Sequence, residues 1–484
     1  MIEFLIFIMF PLFIAALLFA IKDLKLQYMF SLITGGFHLA FSFIVFTNNF
    51  SSKMPMFFEL DGLNRYFLLI LSNVYFWVVL VSYKFIKERI NEEAKISYSY
   101  YFLLLNVYLA SNSAALLSNH FGMYWVSVEA TTLSVAPLIY FYKNEEALEA
   151  MWKYLFVVSL GIAFAFIGIL FLSLSSKDTS IEGGQLFFSS FITHAKELNP
   201  IWLKASFIFI FIGLSTKIGI APMHNGDVDA TANAPSPIAA LMSGSLRLTA
   251  LIGVMRIFNI IKFTDSFQFA RTLLIIGAVL SIIAAFIYMF KANNYKRMLA
   301  YSSVEHLGII TLGLGIGNIA FLGALLHAFY NSICKIILFL SAGKIHRFYG
   351  SREINKVNGV LKHFPISGWL FIIAYMAISG IPPFGIFFSE LTIFEGILIS
   401  DLPFVLILLM ILLLFIFINM GKITFNMVYK EENDIKLLGK KDSFDIINIV
   451  SVLLVILLVV VASSASKFLT PNLIEITKAF GYAL

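Results

Sequence analysis

The chain has 484 residues, of which 60% are hydrophobic and only 13% are charged. A soluble domain carries about 25% charged residues, so the composition excludes a soluble fold and requires lipid around most of the chain. The net charge is +6, but the sequence has no dense basic stretch that would bind nucleic acid. The single cysteine excludes an internal disulfide or a cysteine-ligated iron–sulfur cluster.

Apolar runs long enough to cross a bilayer follow one another along the chain. A transmembrane helix needs roughly 20 such residues, and the sequence predicts about 14 of them. The predicted spans are 2–22, 28–47, 66–86, 98–119, 120–142, 154–175, 202–223, 237–260, 271–291, 297–319, 320–341, 366–398, 402–428 and 445–466. The runs lack the alternation of barrel strands, so we expect an all-α integral membrane protein.

Two of these spans contain a helix-breaking proline beside a charged residue. Span seven has Lys217 shortly before Pro222, and span twelve has Pro383 about two turns before Glu390. Transporters built from inverted repeats place broken helices at matching positions in both halves. We therefore predict two inverted five-helix repeats. The predicted domains are 1–97 (spans one to three), 98–260 (first repeat), 271–430 (second repeat) and 431–484 (C-terminal helix).

Lysine and arginine are unevenly distributed over the connections between spans. With the N-terminus outside, the inside connections hold about 20 of them against about 10 outside, as the positive-inside rule requires. The strongest basic connections are 84–95, 344–362 and 430–441. We expect a multi-pass protein of a prokaryotic cytoplasmic membrane with both termini outside.

Ionisable residues lie deep inside several spans, where each charge costs about 2.5–3.5 kcal/mol on insertion scales. Such groups usually face a bundle interior or a water-filled cavity and mark an ion path. They are Glu129, Lys217, Arg247, Glu305, His306, His327, Lys335 and Glu390. Because they recur in span after span, we favour an ion path over isolated structural pairs.

The eleventh span carries a stripe of polar residues. His327, Asn331 and Lys335 are spaced four apart and share one helix face. Polar groups about 6 Å apart suit a proton relay through intervening waters, and histidine titrates near neutral pH. The alternative is a polar seam between packed helices.

Six segments occur in an order that few membrane protein families share. They are WVSVEATTL (125–133), STKIGIAPMH (215–224), APSPIAALMSG (234–244), KRMLAYSSVEHLGII (296–310), HAFYNSICKIILFLSAG (327–343) and SGIPPFGIFFSE (379–390). In these segments the chain resembles the antiporter-like subunits of respiratory complex I, Mrp-type antiporters and membrane-bound nickel–iron hydrogenases. Within that family, WVSVEATTL followed by EAMWKYL (149–155) and then SSVEH is most similar to hydrogenase-4 component F.

The resemblance implies roles for individual residues. It implies an ion pair between Glu129 and Lys217 that tunes the lysine. Protons would enter from the inside to Lys217, cross a central polar axis through His327 and Lys335, and leave outward by way of Glu390. The residues expected to support this path are His224, Arg247, Glu305, His306, Asn331, Pro222 and Pro383.

Three features depart from the family's pattern. The loop after the first broken helix usually reads His-x-Trp-Leu-Pro-x-Ala-His, whereas residues 224–231 read HNGDVDAT. The lysine position of span eight is occupied by Leu248, next to Arg247, and arginine holds its proton too tightly to relay it. Asn331 replaces a histidine and cannot titrate. These departures favour the alternative of a structural anchor that has lost transport.

We therefore predict a proton-translocating, non-redox membrane subunit of a multisubunit oxidoreductase, a membrane-bound nickel–iron hydrogenase of the hydrogenase-4 type. The alternatives are a complex I-like quinone oxidoreductase subunit, an Na⁺/H⁺ antiporter module, or the structural anchor. The sequence contains no nucleotide loop and no convincing metal-ligand set, so we expect no catalytic residue, cofactor or metal in this chain. The nickel–iron (NiFe) and iron–sulfur centres are expected in partners, namely other membrane subunits and a peripheral redox arm.

Overall fold

The computed structural model describes residues 2–53, 57–90, 100–177, 179, 181, 186–430 and 445–482. Its longer helices are α1 Ile2–Ala20, α2 Leu24–Thr47, α3 Gly62–Ile90, α4 Tyr101–Leu117, α5 Phe121–Ile139, α6 Glu145–Ser175, α7 Phe188–Thr193, α8 Pro200–Ile218, α9 Asn225–Asn233, α10 Ser236–Ile261, α11 Phe267–Phe290, α12 Tyr295–Ile316, α13 Asn318–Tyr349, α14 Val360–His363, α15 Pro365–Ile378, α16 Gly385–Ile399, α17 Pro403–Tyr429, α18 Ile446–Phe468 and α19 Thr470–Ala479. Single 3₁₀ turns lie at Tyr140–Tyr142, Ala195–Glu197 and Ile354–Lys356.

The expectation of an all-α integral membrane protein is confirmed. Among the described residues, ten helices are long and apolar enough to cross a membrane, and shorter apolar helices accompany them. Two two-residue strands, β1 (Ser52–Lys53) and β2 (Glu59–Leu60), pair antiparallel in a connection. The exact number of spans and the inverted repeats remain predictions. Parts of the basic connections 84–95 and 430–441, and the domain limits near 97 and 430, lie outside the described residues.

Local sequence signals explain where the helices begin. The carboxylate of Asp23 accepts a hydrogen bond from the Leu26 amide at the start of α2, at 2.7 Å. Asn144 and Asn294 cap α6 and α12 in the same way. Each side chain satisfies amides that have no partner inside the helix. Proline occupies the first position of α8, α15 and α17, where its missing N–H costs no helical hydrogen bond.

Both proline-containing spans are broken, as predicted. Helix α8 ends at Ile218, six residues form an irregular segment, and α9 begins at Asn225. In the same way α15 ends at Ile378 and α16 begins at Gly385. The chain leaves each first half-helix through a glycine with positive φ, Gly219 at +85° and Gly380 at +66°, a conformation that side chains with a Cβ rarely adopt.

The chain divides into two compact units, residues 1–230 with 245–274, and residues 231–244 with 275–484. In the first unit, Arg256 of α10 pairs with Asp61 at 2.6 Å and so joins α10 to the start of α3. In the second, Lys344 of α13 pairs with Asp445, just before α18, at 3.2 Å. Both ion pairs lie near helix ends, where the charges can reach polar surroundings.

Helices α6 and α8 of the first unit pack with their backbones in close approach. A Cβ added to Gly213 would lie 2.5 Å from the Ala165 amide nitrogen and 2.5 Å from the Gly161 carbonyl oxygen. Small residues allow this approach, and lipid-embedded helices associate through such packing. The contact fixes the position of α8, which carries Lys217 four residues further along.

We predict that Gly213→Ala destabilises the protein by about 1–3 kcal/mol, because the new methyl group meets backbone atoms that cannot move aside. Thermal unfolding of the purified full chain in detergent measures the effect as a lower Tm. The control is Gly36→Ala in α2, where the nearest atom to the added Cβ is a ring carbon 3.9 Å away. An equal loss in both variants would contradict the proposed backbone contact.

Candidate functional site

Lys217 lies in the last turn of α8 and is fully enclosed by protein, with 1% of its surface exposed. Its ammonium donates to the Val128 carbonyl oxygen at 2.6 Å and to the hydroxyls of Thr131 and Thr132 at 2.5 and 2.7 Å, all on α5. An ammonium has three donors, so all three are used. The negative end of the α8 dipole also favours a cation at this position.

Glu129 does not contact Lys217 directly, although it is close enough for the electrostatic influence that the family resemblance implies. Its Oε1 instead accepts a hydrogen bond from the Ser159 hydroxyl of α6 at 2.7 Å. Among the described residues, no salt bridge joins Glu129 to Lys217. The Glu129 carboxylate is therefore directed to α6, while a backbone carbonyl and two hydroxyls of α5 bind the lysine.

A different ion pair lies close to Lys217. The Arg247 guanidinium of α10 pairs with the Asp227 carboxylate of α9, and both side chains are completely buried. Asp227 Oδ2 would lie 3.2 Å from a Cβ at Gly219. The aspartate therefore folds back over the glycine where α8 ends, two residues after Lys217.

This pair joins two of the sequence departures. Asp227 stands where the family usually has leucine, and Arg247 stands beside the usual lysine position. A charge buried in hydrocarbon needs a partner of opposite sign, and each of these residues supplies it for the other. His224, in the same irregular segment, is 4% exposed, and Pro222 is exposed.

The second unit holds a hydrogen-bonded pair of histidines. His306 Nδ1 of α12 lies 2.9 Å from His327 Nε2 of α13, and His327 Nδ1 lies 3.0 Å from the Ser389 hydroxyl oxygen of α16. That hydroxyl donates its own proton to the Ile386 carbonyl oxygen at 2.8 Å, so its oxygen accepts a hydrogen bond from the Nδ1–H of His327. With both rings neutral, His327 Nε2 then accepts from His306, and His306 Nε2 keeps a free lone pair.

Lys335 and Asn331 continue this line along α13, as the spacing predicts. The Lys335 ammonium donates to the Ser302 hydroxyl and to the Leu299 carbonyl oxygen of α12, the latter at 3.3 Å. Asn331 is completely buried, and neither its amide nitrogen nor its amide oxygen has a hydrogen-bond partner among the described residues. Buried amides of this kind usually bind ordered water.

Glu390 closes the second group of polar residues. Its Oε2 would lie 2.5 Å from a Cβ at Gly380, so its carboxylate packs on the glycine that ends α15. A cavity of about 30 Å³ adjoins it and is lined by Glu305, His306, Ser379 and Glu390 together with apolar residues of α15 and α17. That volume exceeds the space needed by one water molecule. Pro383 lies exposed in the break.

Sequence reasoning found the charged groups but missed most of their partners. Thr131, Thr132 and Ser159 contact Lys217 or Glu129, and Ser389 orients His327. Thr131, Thr132 and Ser389 lie in the segments that carry the family resemblance. Their position close in sequence to Glu129 and Glu390 was the signal that could have indicated a role. For Asp227, the available signal was its negative charge, which is opposite to that of Arg247, another residue that departs from the family pattern.

These features define a multi-pass helical membrane protein whose buried ionisable side chains lie beside broken helices. Residues 118–417 match the family described as NADH:quinone oxidoreductase/Mrp antiporter, TM. The chain belongs to this family.

The similarity extends to individual relatives. The chain is 32% identical over 373 residues to a hydrogenase-4 component F homolog of Methylacidiphilum infernorum (isolate V4), covering 75% of this chain and 78% of that protein. Its fold matches a chain of the membrane-bound sulfane sulfur reductase, an archaeal respiratory membrane complex, with TM-score 0.88 and 21% identity over 99% of this chain and 98% of that one. A chain of the Mrp complex from Dietzia sp. DQ12-45-1b gives TM-score 0.86 and 16% identity over 98% and 96%.

We predict that Arg247→Met and Asp227→Leu each destabilise the protein by about 3–5 kcal/mol, because each leaves an uncompensated charge in the interior. The double variant should regain most of this loss, since a buried ion pair and an apolar pair of similar volume are often equally stable. The Tm values of the four proteins, compared as a double-mutant cycle, measure the coupling. Strictly additive losses would show that the two side chains do not depend on each other.

Proposed function

We propose that this chain is a proton-translocating, non-redox membrane subunit of a multisubunit oxidoreductase, a membrane-bound nickel–iron hydrogenase of the hydrogenase-4 type. The observation that carries the proposal is that an ionisable side chain lies beside each helix break. Lys217 lies at the end of α8, and Glu390 lies beside the glycine that ends α15. Ionisable groups inside membrane helices mark ion paths by default.

Lys217 is suited to accept and release protons within the first unit. Its ammonium donates its hydrogen bonds to neutral oxygens, one carbonyl and two hydroxyls. No direct salt bridge therefore has to be broken when the proton leaves. The hydroxyls remain as hydrogen-bond partners for the neutral amine, because a hydroxyl can donate as well as accept.

The histidine pair performs the corresponding step within the second unit. A proton that reaches His306 Nε2 from the adjoining cavity makes that ring cationic, and the ring can then pass its Nδ1 proton to His327 Nε2 across 2.9 Å. Glu305 and Glu390 line the same cavity, and carboxylates can exchange protons with water held there. Asn331, whose amide has no hydrogen-bond partner in the described part of the chain, would bind water between His327 and Lys335.

The hydrogenase assignment is supported by the hydrogenase-4 component F homolog, which is similar over most of both chains. In such an assembly the nickel–iron and iron–sulfur centres would lie in partner subunits, and other membrane subunits and a peripheral redox arm would complete it. We place the chain in a prokaryotic cytoplasmic membrane with both termini outside. An Na⁺/H⁺ antiporter module is the competing assignment, and Na⁺-dependent transport in vesicles would favour it.

We predict that Lys217→Ala lowers proton pumping at least about tenfold in the complex that contains this chain, because alanine cannot carry a proton. Glu129→Gln should have a smaller effect, since its carboxylate is hydrogen-bonded to Ser159 and acts on Lys217 without a direct salt bridge. The complex is purified through a tag on this chain, reconstituted into proteoliposomes, and assayed with a pH-sensitive dye during turnover.

The matched control is Lys204→Ala, which removes a lysine near the other end of α8. Pumping by this variant should equal that of the unaltered complex. Unchanged pumping in Lys217→Ala, with the complex intact, would exclude Lys217 from the path. If the unaltered complex turns over without pumping protons, the chain is a structural anchor.

A further inference from the structure

Three side chains of the second unit converge in a way that the sequence did not reveal. His306, His327 and Glu390 each offer a ligand atom, and these three atoms all lie within 4.8 Å of one another. Two imidazoles and a carboxylate are a common ligand set for zinc, and three protein ligands leave a fourth position for water. We propose that this cluster is a binding site for a single zinc ion.

The distance between the histidine rings fits this ion. Two nitrogens bound to one tetrahedral zinc, each at about 2.0–2.1 Å, lie roughly 3.3 Å apart. His306 Nδ1 and His327 Nε2 are 2.9 Å apart, so a small separation of the rings admits the metal. The ion would occupy the position of the hydrogen atom that lies between His306 Nδ1 and His327 Nε2. The Nδ1 proton of His306 moves to its own Nε2, and both rings remain neutral as zinc binding requires.

The surroundings of His327 already orient it for a metal. Its Nδ1–H donates to the Ser389 hydroxyl, which in turn donates to the Ile386 carbonyl oxygen. Ligating histidines almost always donate their other ring N–H to such a partner, which fixes the tautomer and ring orientation. Nε2 of His327 is thereby left as the ligand atom.

Two carboxylates beside the histidines favour binding of a cation. Glu305 and Glu390 line one cavity of about 30 Å³ together with His306. Their two negative charges attract a divalent ion more strongly than a monovalent one, while the nearby Lys335 ammonium opposes it. The cavity has room for one water molecule as the fourth ligand, while Glu305 balances the charge from its wall.

The ligands are also residues of the proposed proton path. A bound zinc ion would occupy the lone pair of His327 and the carboxylate of Glu390, so zinc should inhibit proton transport. This consequence rests on the proposed function, whereas zinc binding itself does not. The two are therefore measured separately.

Zinc binding is measured on the purified full chain in detergent, by titration of Zn²⁺ against a competing chelator and by elemental analysis. We expect one zinc ion per chain, with an affinity at least about tenfold lower in His327→Ala and Glu390→Gln. Ser389→Ala should lower the affinity about 10–100-fold, as expected for a group that orients a ligand. A purely structural serine would leave the affinity unchanged.

The controls carry the same residue types outside the cluster. Glu395→Gln removes an exposed carboxylate from the same helix, α16, and His363→Gln removes the histidine that ends α14. Both should bind zinc as the unaltered chain does. The Tm without metal checks that each variant is folded, and Glu390→Gln preserves side-chain shape if His327→Ala does not fold.

Failure to bind zinc stoichiometrically, or equal binding by the cluster variants and the controls, overturns the site. Proton pumping with and without zinc is then measured on the complex. Pumping that zinc inhibits in the unaltered complex and in Glu395→Gln supports the inhibitory role. If the chain binds zinc but the complex pumps no protons, the zinc site is supported and the proposed function is contradicted. If the complex pumps protons but the chain does not bind zinc, only the zinc site is contradicted.

Discussion

The structure depends on one constraint, that hydrocarbon offers no hydrogen-bond partners to the chain. Wherever a helix ends or a charge is buried inside the membrane, protein groups must replace water. The end of α8 shows how this is done. The ammonium of Lys217 is satisfied by a carbonyl and two hydroxyls of α5, and the close glycine packing of α6 against α8 holds the lysine in place.

The two broken helices end in the same way, with a carboxylate packed on a glycine, but the two carboxylates have different surroundings. At each break a glycine with positive φ ends the first half-helix, and a carboxylate from the following half-helix packs on it, Asp227 on Gly219 and Glu390 on Gly380. Asp227 is held by Arg247 in a buried ion pair. Glu390 instead adjoins a cavity, so one carboxylate is committed to structure while the other can exchange protons or bind a cation.

The sequence predicted the helical class, both breaks and the burial of the lysines and histidines, because apolar length, proline and charge act locally. It did not predict which side chains meet. Contacts such as His306 with His327 depend on how two separate helices are rotated and shifted against each other, and hydrophobic periodicity does not encode that relation. The direct contact implied for Glu129 and Lys217 is absent for this reason, because the carboxylate accepts a hydrogen bond from Ser159 of α6.

The same geometry decides what the departures at Arg247 and Leu248 mean. An arginine beside a leucine that occupies the place of a proton-carrying lysine would be expected to interrupt transport, because guanidinium keeps its proton. Here its charge is cancelled by Asp227, also a departure from the family pattern. The two changes compensate each other electrostatically, and the hydrogen bonds of Lys217 go to neutral oxygens. Arg247 is therefore better explained as the stabiliser of the break beside Lys217 than as a defect in a proton path. Under the proposed function, Lys217 then carries the exchangeable proton of this unit.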